Sequence, residues 1–173
     1  IDRTGRNGID NGAIFESIGI IRIGNNSSET DNITLQGVFS DGAFSSTGEL
    51  TIKETSSNGF RNLDDAEFGG TITMDNIGAV GYFNSNGQTN FIDSTIITIT
   101  NTTLAGIQNN ATAAFPFESV GGSITIDGTG GNGITNLGPF LIIGALNIGT
   151  ETGTITGFSI SNNDPFTIGN TGD

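Results

Sequence analysis

The sequence contains no cysteine and no histidine. Disulfides, thiol nucleophiles, iron–sulfur clusters, structural zinc and imidazole acid–base chemistry are thereby excluded. Positive charge is scarce: 5 Lys and Arg stand against 18 Asp and Glu, for a net charge of −13 over 173 residues. That balance speaks against a nucleic-acid partner, which needs a basic stripe to displace phosphate counterions. Long apolar runs are missing as well. The most apolar stretch, Phe140 to Ile148, is broken by Gly144 and Asn147, so no membrane insertion is expected. No basic segment followed by an apolar one opens the chain as a signal peptide would. Such acidity with 34% apolar residues could signal disorder, but the apolar residues are strongly patterned.

The pattern is a repeat. Short apolar–polar–apolar segments recur as Ile21-Arg22-Ile23, Leu50-Thr51-Ile52, Ile72-Thr73-Met74, Ile97-Thr98-Ile99, Ile124-Thr125-Ile126, Leu146-Asn147-Ile148 and Phe166-Thr167-Ile168. Alternation of this kind is the strand period, two side chains inward around one outward. The second inward positions are Ile1, Ile23, Ile52, Met74, Ile99, Ile126, Ile148 and Ile168, at a mean spacing near 24 residues. Seven residues after that position comes Gly-apolar-x-Asn, ending at Asn11, Asn62, Asn84, Asn109 and Asn136. Two coils depart: one reads Asn32-Ile33-Thr34-Leu35, and in the other Gly157-Phe158 arrives late. A phenylalanine column completes the unit. Phe15, Phe44, Phe91 and Phe140 each lie eight residues before the inward Ile, with Phe68 and Phe117 near that spacing. Length variation is expected mainly between the Asn and the Phe.

Three short strands per coil predict an all-β fold, a right-handed parallel β-helix of about seven coils spanning residues 1–173. Stacking of coils supplies the core that no single coil can bury. At about 4.8 Å per coil the rod would be roughly 34 Å long. A β-sandwich also has short, evenly spaced strands, but it predicts hairpins and no constant phase. The Asn column reads as a hydrogen-bonded ladder at a corner; the alternative is a row of ligand-binding amides. The outward file Arg22, Thr51, Thr73, Thr98, Thr125, Asn147 and Thr167 is similar to ice-binding solenoid surfaces, although Thr is also simply a good strand former.

Pectin lyases and polygalacturonases share the expected fold, but their acids and bases are not matched. The one paired carboxylate is Asp64-Asp65, with Arg61 and Glu67 nearby, and it reads as a solvated acidic loop. No catalytic residue and no cofactor is assigned. Calcium stays open, since hard oxygen ligands are plentiful; yet Gly128-Thr129-Gly130-Gly131-Asn132-Gly133 is a single imperfect copy of the nonapeptide calcium repeat. The Asn-x-Ser/Thr triplets at Asn25, Asn26, Asn32, Asn101 and Asn110 carry no assigned role.

Gly121-Gly122-Ser123-Ile124-Thr125-Ile126, followed by Gly133-Ile134-Thr135-Asn136, resembles the parallel β-helix repeats of large bacterial surface proteins. These are autotransporter passengers, filamentous adhesins and polymorphic outer-membrane proteins. Asn11-Gly12-Ala13-Ile14, Gly69-Gly70-Thr71-Ile72 and Phe83-Asn84-Ser85-Asn86 come near the motifs of the last group. The resemblance implies an exported, non-enzymatic stalk or adhesive rod. Its partners would be neighbouring copies or adjoining segments of the same β-helix, end to end, with a surface glycan or protein as target. The chain opens at Ile1 in the inward phase and stops at Asp173 close to a whole number of coils. The expectation is a fragment of a longer β-helix or a subunit that stacks head to tail.

Overall fold

Short alternating segments separated by Gly- and Asn-rich corners cannot bury both inward side chains within one turn of chain. They do so by stacking. The computed structural model describes residues 1, 6–24, 33, 35–92, 94–111, 117–149 and 154–169. Asp2–Gly5, Asn25, Asn26, Asn32, Thr34 and Asp173 fall outside these residues.

The first coil is β1 (Ile9–Asn11), β2 (Phe15–Ser17) and β3 (Ile20–Ile23), and the second is β4 (Val38–Ser40), β5 (Phe44–Ser46) and β6 (Glu49–Thr55). The third holds β7 (Phe60–Asn62), β8 (Ala66–Phe68) and β9 (Thr71–Ile77); the fourth, β10 (Tyr82–Asn84), β11 (Thr89–Phe91) and β12 (Ile96–Thr102). In the next two coils the second and third strands run together round their corner. The fifth is β13 (Ile107–Asn109) and β14 (Phe117–Thr129), the sixth β15 (Ile134–Asn136) and β16 (Phe140–Ile148). Two sides of a further coil follow, β17 (Ile160–Asn162) and β18 (Phe166–Gly169). No helix occurs among the described residues.

Side one is a seven-stranded sheet, β1-β4-β7-β10-β13-β15-β17. Sides two and three are joined through β14 in an eleven-stranded sheet that includes β16 and β18. Every named pair is parallel and each strand meets its counterpart one coil away, for example Ile97↔Ile124 and Ile99↔Ile126. The chain is thus a parallel β-solenoid of six complete coils. A hairpin-built sandwich is excluded.

Side three supplies two inward columns. One is Ile21, Leu50, Ile72, Ile97, Ile124 and Leu146; the other is Ile23, Ile52, Met74, Ile99, Ile126 and Ile148. Ile23 to Ile126 of the second are buried, and Ile148 packs on them half-buried. Ile1 continues this column, its amino group and carbonyl bonding across to Arg22 and Gly24 at 2.8 Å. The column ends at Ile148. Phe166-Thr167-Ile168 lies instead on side two, where Phe166 pairs with Phe140 and Ile168 with Ile142.

The phenylalanines form two columns where the even spacing predicted one. Phe15, Phe44, Ala66, Thr89, Phe117, Phe140 and Phe166 share the first position of side two. Phe91 belongs to the third position, beside Phe68. Its corner towards side three is longer, which restores the same count to the following Ile. The two positions compensate in volume. Phe15, Phe44 and Phe117 precede Ser17, Ser46 and Ser119, while Phe68 and Phe91 follow the small Ala66 and Thr89. Side one fills the gap left by the small residues with Phe60 and Tyr82, which meet Phe68 and Phe91 edge-on at 5.1 and 5.6 Å. Close packing thereby survives a migrating ring.

Two corners explain the fixed spacings. The glycine opening side one lies against the Ile that closes side three of the same coil: a Cβ on Gly106 would sit 2.3 Å from Ile126 Cγ2 and 2.9 Å from the Gly133 carbonyl. Gly8, Gly37, Gly81 and Gly133 meet their Ile likewise. Near the end of side three the chain turns through a left-handed residue, at Glu54, Asn76, Asn101 and Gly128 in four successive coils. The long insertions fall between sides three and one, from Ile23 to Val38 and from Ile148 to Ile160. Only one coil, Asn109 to Phe117, adds appreciable length between Asn and Phe.

Candidate functional site

The Asn row lies inside the corner that ends side one. Asn84 Nδ2 donates to Asn109 Oδ1 at 3.0 Å, Asn109 to Asn136 at 2.9 Å and Asn136 to Asn162 at 2.8 Å. Asn62 donates to Asn84 at 3.3 Å and to Thr89 Oγ1 at 3.4 Å. Backbone groups take further positions: Asn11 Nδ2 donates to the Gly42 and Ala43 carbonyls, Asn109 Nδ2 to the Pro139 carbonyl. Asn11, Asn62, Asn84, Asn109 and Asn136 are all buried, so these amides work as an internal ladder and present no surface to a ligand. Two members escaped the spacing rule. Ser40 fills the row in the second coil, where Gly37-Val38-Phe39-Ser40 carries the motif, and Asn162 extends it behind Ser159. Ser40 Oγ accepts from Asn11 Nδ2 at 2.9 Å but donates to the Gly42 carbonyl at 2.7 Å, leaving Asn62 Oδ1 without a partner.

Tyr82 is the other buried polar side chain of note. Its hydroxyl meets Thr89 Oγ1 at 2.9 Å, and complete burial pushes its ionisation far above the ordinary tyrosine range, only partly opposed by that bond.

The solvent-facing surface differs from side to side. On side three the outward Thr51, Thr73, Thr98 and Thr125 stand in register, ended by Arg22 and Asn147. Thr167 is not part of this file, since it pairs with Leu141 on side two. The neighbouring column is irregular: Lys53, Asp75 and Thr100 are half-buried and Asp127 is buried, with Thr100 and Asn101 both donating to Asp75 Oδ1 at 2.8 and 2.9 Å. Arg22 Nη2 pairs with Glu49 at 3.0 Å.

Side two is acidic, with Glu16, Glu67 and Glu118 in its outward column. A shallow hollow of about 280 Å³ opens over Glu16, Ser45, Asp65 and Glu67. Among the described residues no three acidic side chains converge as metal ligands. Gly128 supplies a left-handed corner at φ 61°.

The Arg61–Asp64–Asp65–Glu67 cluster of the sequence is taken apart by the fold. Asp64 and Asp65 cap the corner between β7 and β8, where Asp64 Oδ1 accepts the Asp65 amide at 2.8 Å. Glu67 points outward on side two, and Arg61 outward on side one. There Arg61 stands between Phe39 and Phe83, an arrangement that a reading of single coils does not reveal because its members come from three.

Comparison with protein-family models, with curated proteins and with solved structures returned no match.

Proposed function

We propose that this chain is a segment of an extracellular, non-enzymatic rod of the kind that builds stalks, adhesins or filaments on bacterial surfaces. The observation that carries the reading is the unbroken parallel register from side one of the first coil to β18. A chain paired only to its neighbours one coil away is stiff along one axis, and its length is set by coil number alone. Stability without cysteine follows from the stacked columns, and suits a secreted scaffold that does not depend on disulfides.

The two outermost coils support end-to-end contact with further coils of the same β-helix. Ile9, Phe15 and Ile21 at one end and Ile160 and Phe166 at the other are only half-buried on the core. A further coil in the same register, from the same chain or another copy, would cover them. The net charge of −13 opposes contact between copies at low salt and is screened at high salt. Sedimentation and electron microscopy over a range of salt and protein concentrations test the rod reading. Rods that lengthen end to end with salt support it; compact particles, or turnover of an acidic polysaccharide by the purified chain, overturn it.

A further inference from the structure

Among the described strands only side one presents aromatic rings outward, and it does so around a cation. Phe39, Arg61 and Phe83 occupy one column on successive coils. The guanidinium carbon lies 5.7 Å from the Phe39 ring centre and 5.6 Å from that of Phe83. Rings thus lie on either side of the cation and hold it in place. In a chain with 18 acids to 5 bases, Arg61 forms no ion pair with any described carboxylate, and its Nε is buried without a partner. Arg22, by contrast, is paired with Glu49.

A guanidinium is a planar fork of five donors matched to a carboxylate, and one already held between rings loses little freedom on binding. The rings beside it are half-buried and leave some apolar surface for the C–H groups of a sugar. Further along the column come Gln108 and Thr135, neutral hydrogen-bonding groups at about one strand spacing each. A pyranose advances by roughly that distance. Two features narrow the ligand. The net charge and the Glu16, Glu67 and Glu118 column on the adjoining side repel a polyanion. The backbone of side one is paired on both flanks at Arg61, so no strand edge is open there for an extended peptide. We propose that Phe39, Arg61 and Phe83 form a binding site for a single carboxylate-bearing sugar on an otherwise neutral glycan.

The test is an NMR titration of the isotopically labelled full chain with methyl glucuronide, methyl glucoside, acetate and a blocked aspartate dipeptide. Methyl glucuronide should move the Arg61 Nε–H signal and the ring signals of Phe39 and Phe83, with a Kd on the order of 1 mM. The other three should bind about tenfold more weakly or not at all. Arg61→Lys, which keeps the charge but loses the planar fork, and Phe83→Leu should each weaken the glucuronide by about tenfold. Thr98→Ser on side three should leave it unchanged, and amide spectra away from side one report that the variants fold. Absence of a glucuronide response, equal binding of acetate or of the dipeptide, or an Arg61→Lys variant that binds normally would each overturn the proposal.

Discussion

Asn109 shows what one amide contributes within a stack. Its Nδ2 serves Asn136 and the Pro139 carbonyl, while its Oδ1 accepts from Asn84 at 3.0 Å and from the Ala111 amide at 3.3 Å. Asn109→Leu removes all four bonds and strands buried partners in both neighbouring coils. The expected loss is about 3 kcal/mol in denaturant unfolding, well beyond that of an ordinary hydrogen bond. Ser40→Asn runs the other way. A second amide there would supply the donor that Asn62 Oδ1 lacks, and a gain of about 1 kcal/mol is expected. Tyr82 gives a pH readout, since it is the one tyrosine in a chain without tryptophan. An unfolded tyrosine ionises at about pH 10, whereas burial holds the native hydroxyl protonated well above that. The unfolded state therefore binds fewer protons once pH exceeds about 10, and native stability must fall as pH rises further. Absorbance at alkaline pH should stay flat until the chain unfolds, and Tyr82→Phe should abolish this part of the alkaline loss. The Asn row was legible in the sequence because Gly and Asn keep their offset. Ser40 and Asn162 were not, because each sits behind a long insertion and one half of the motif has changed.

At the scale of the element, corners set the constraints. Gly106→Ala drives a Cβ into Ile126 and the Gly133 carbonyl, both fixed by coils stacked on either side, so a loss of about 3 kcal/mol is expected by thermal or chemical unfolding. The left-handed column reads Glu54, Asn76, Asn101, Gly128, and Glu54 is the residue least suited to it at φ 53°. Glu54→Asn should stabilise by roughly 0.5–1 kcal/mol, measured in the same assay. Sides two and three also explain where the sequence misleads. Both alternate apolar–polar–apolar, so periodicity alone cannot tell Phe166-Thr167-Ile168 from an Ile-x-Ile strand. The spacing from the preceding Asn does tell them apart: Asn162 to Phe166 repeats Asn136 to Phe140. Phe91 was misplaced for a related reason, since a longer corner and a shift of two along the strand cancel in a count.

For the whole molecule, stability should be graded along the axis. Ile72, Met74, Ile97, Ile99, Ile124 and Ile126 are at most 2% exposed, whereas Ile160 and Phe166 are half-buried and Ile168 is 52% exposed. Hydrogen exchange should therefore be slowest on β9, β12 and the second half of β14, and fastest on β1 and β18. Uniform protection along the chain would contradict this. The coil repeat was legible because stacking imposes one phase on every turn. The Phe39–Arg61–Phe83 column was not, because its members lie 22 residues apart and meet only when coils are superposed. Every amide-to-amide link donates from the earlier coil to the later one, from Asn62 through to Asn162. The column is therefore an arrow: its early end offers oxygen and its late end offers N–H. Two such stacks can share a continuous ladder only when both arrows run the same way, because a reversed joint would set donor against donor or oxygen against oxygen. Any assembly that continues this ladder has a front and a back.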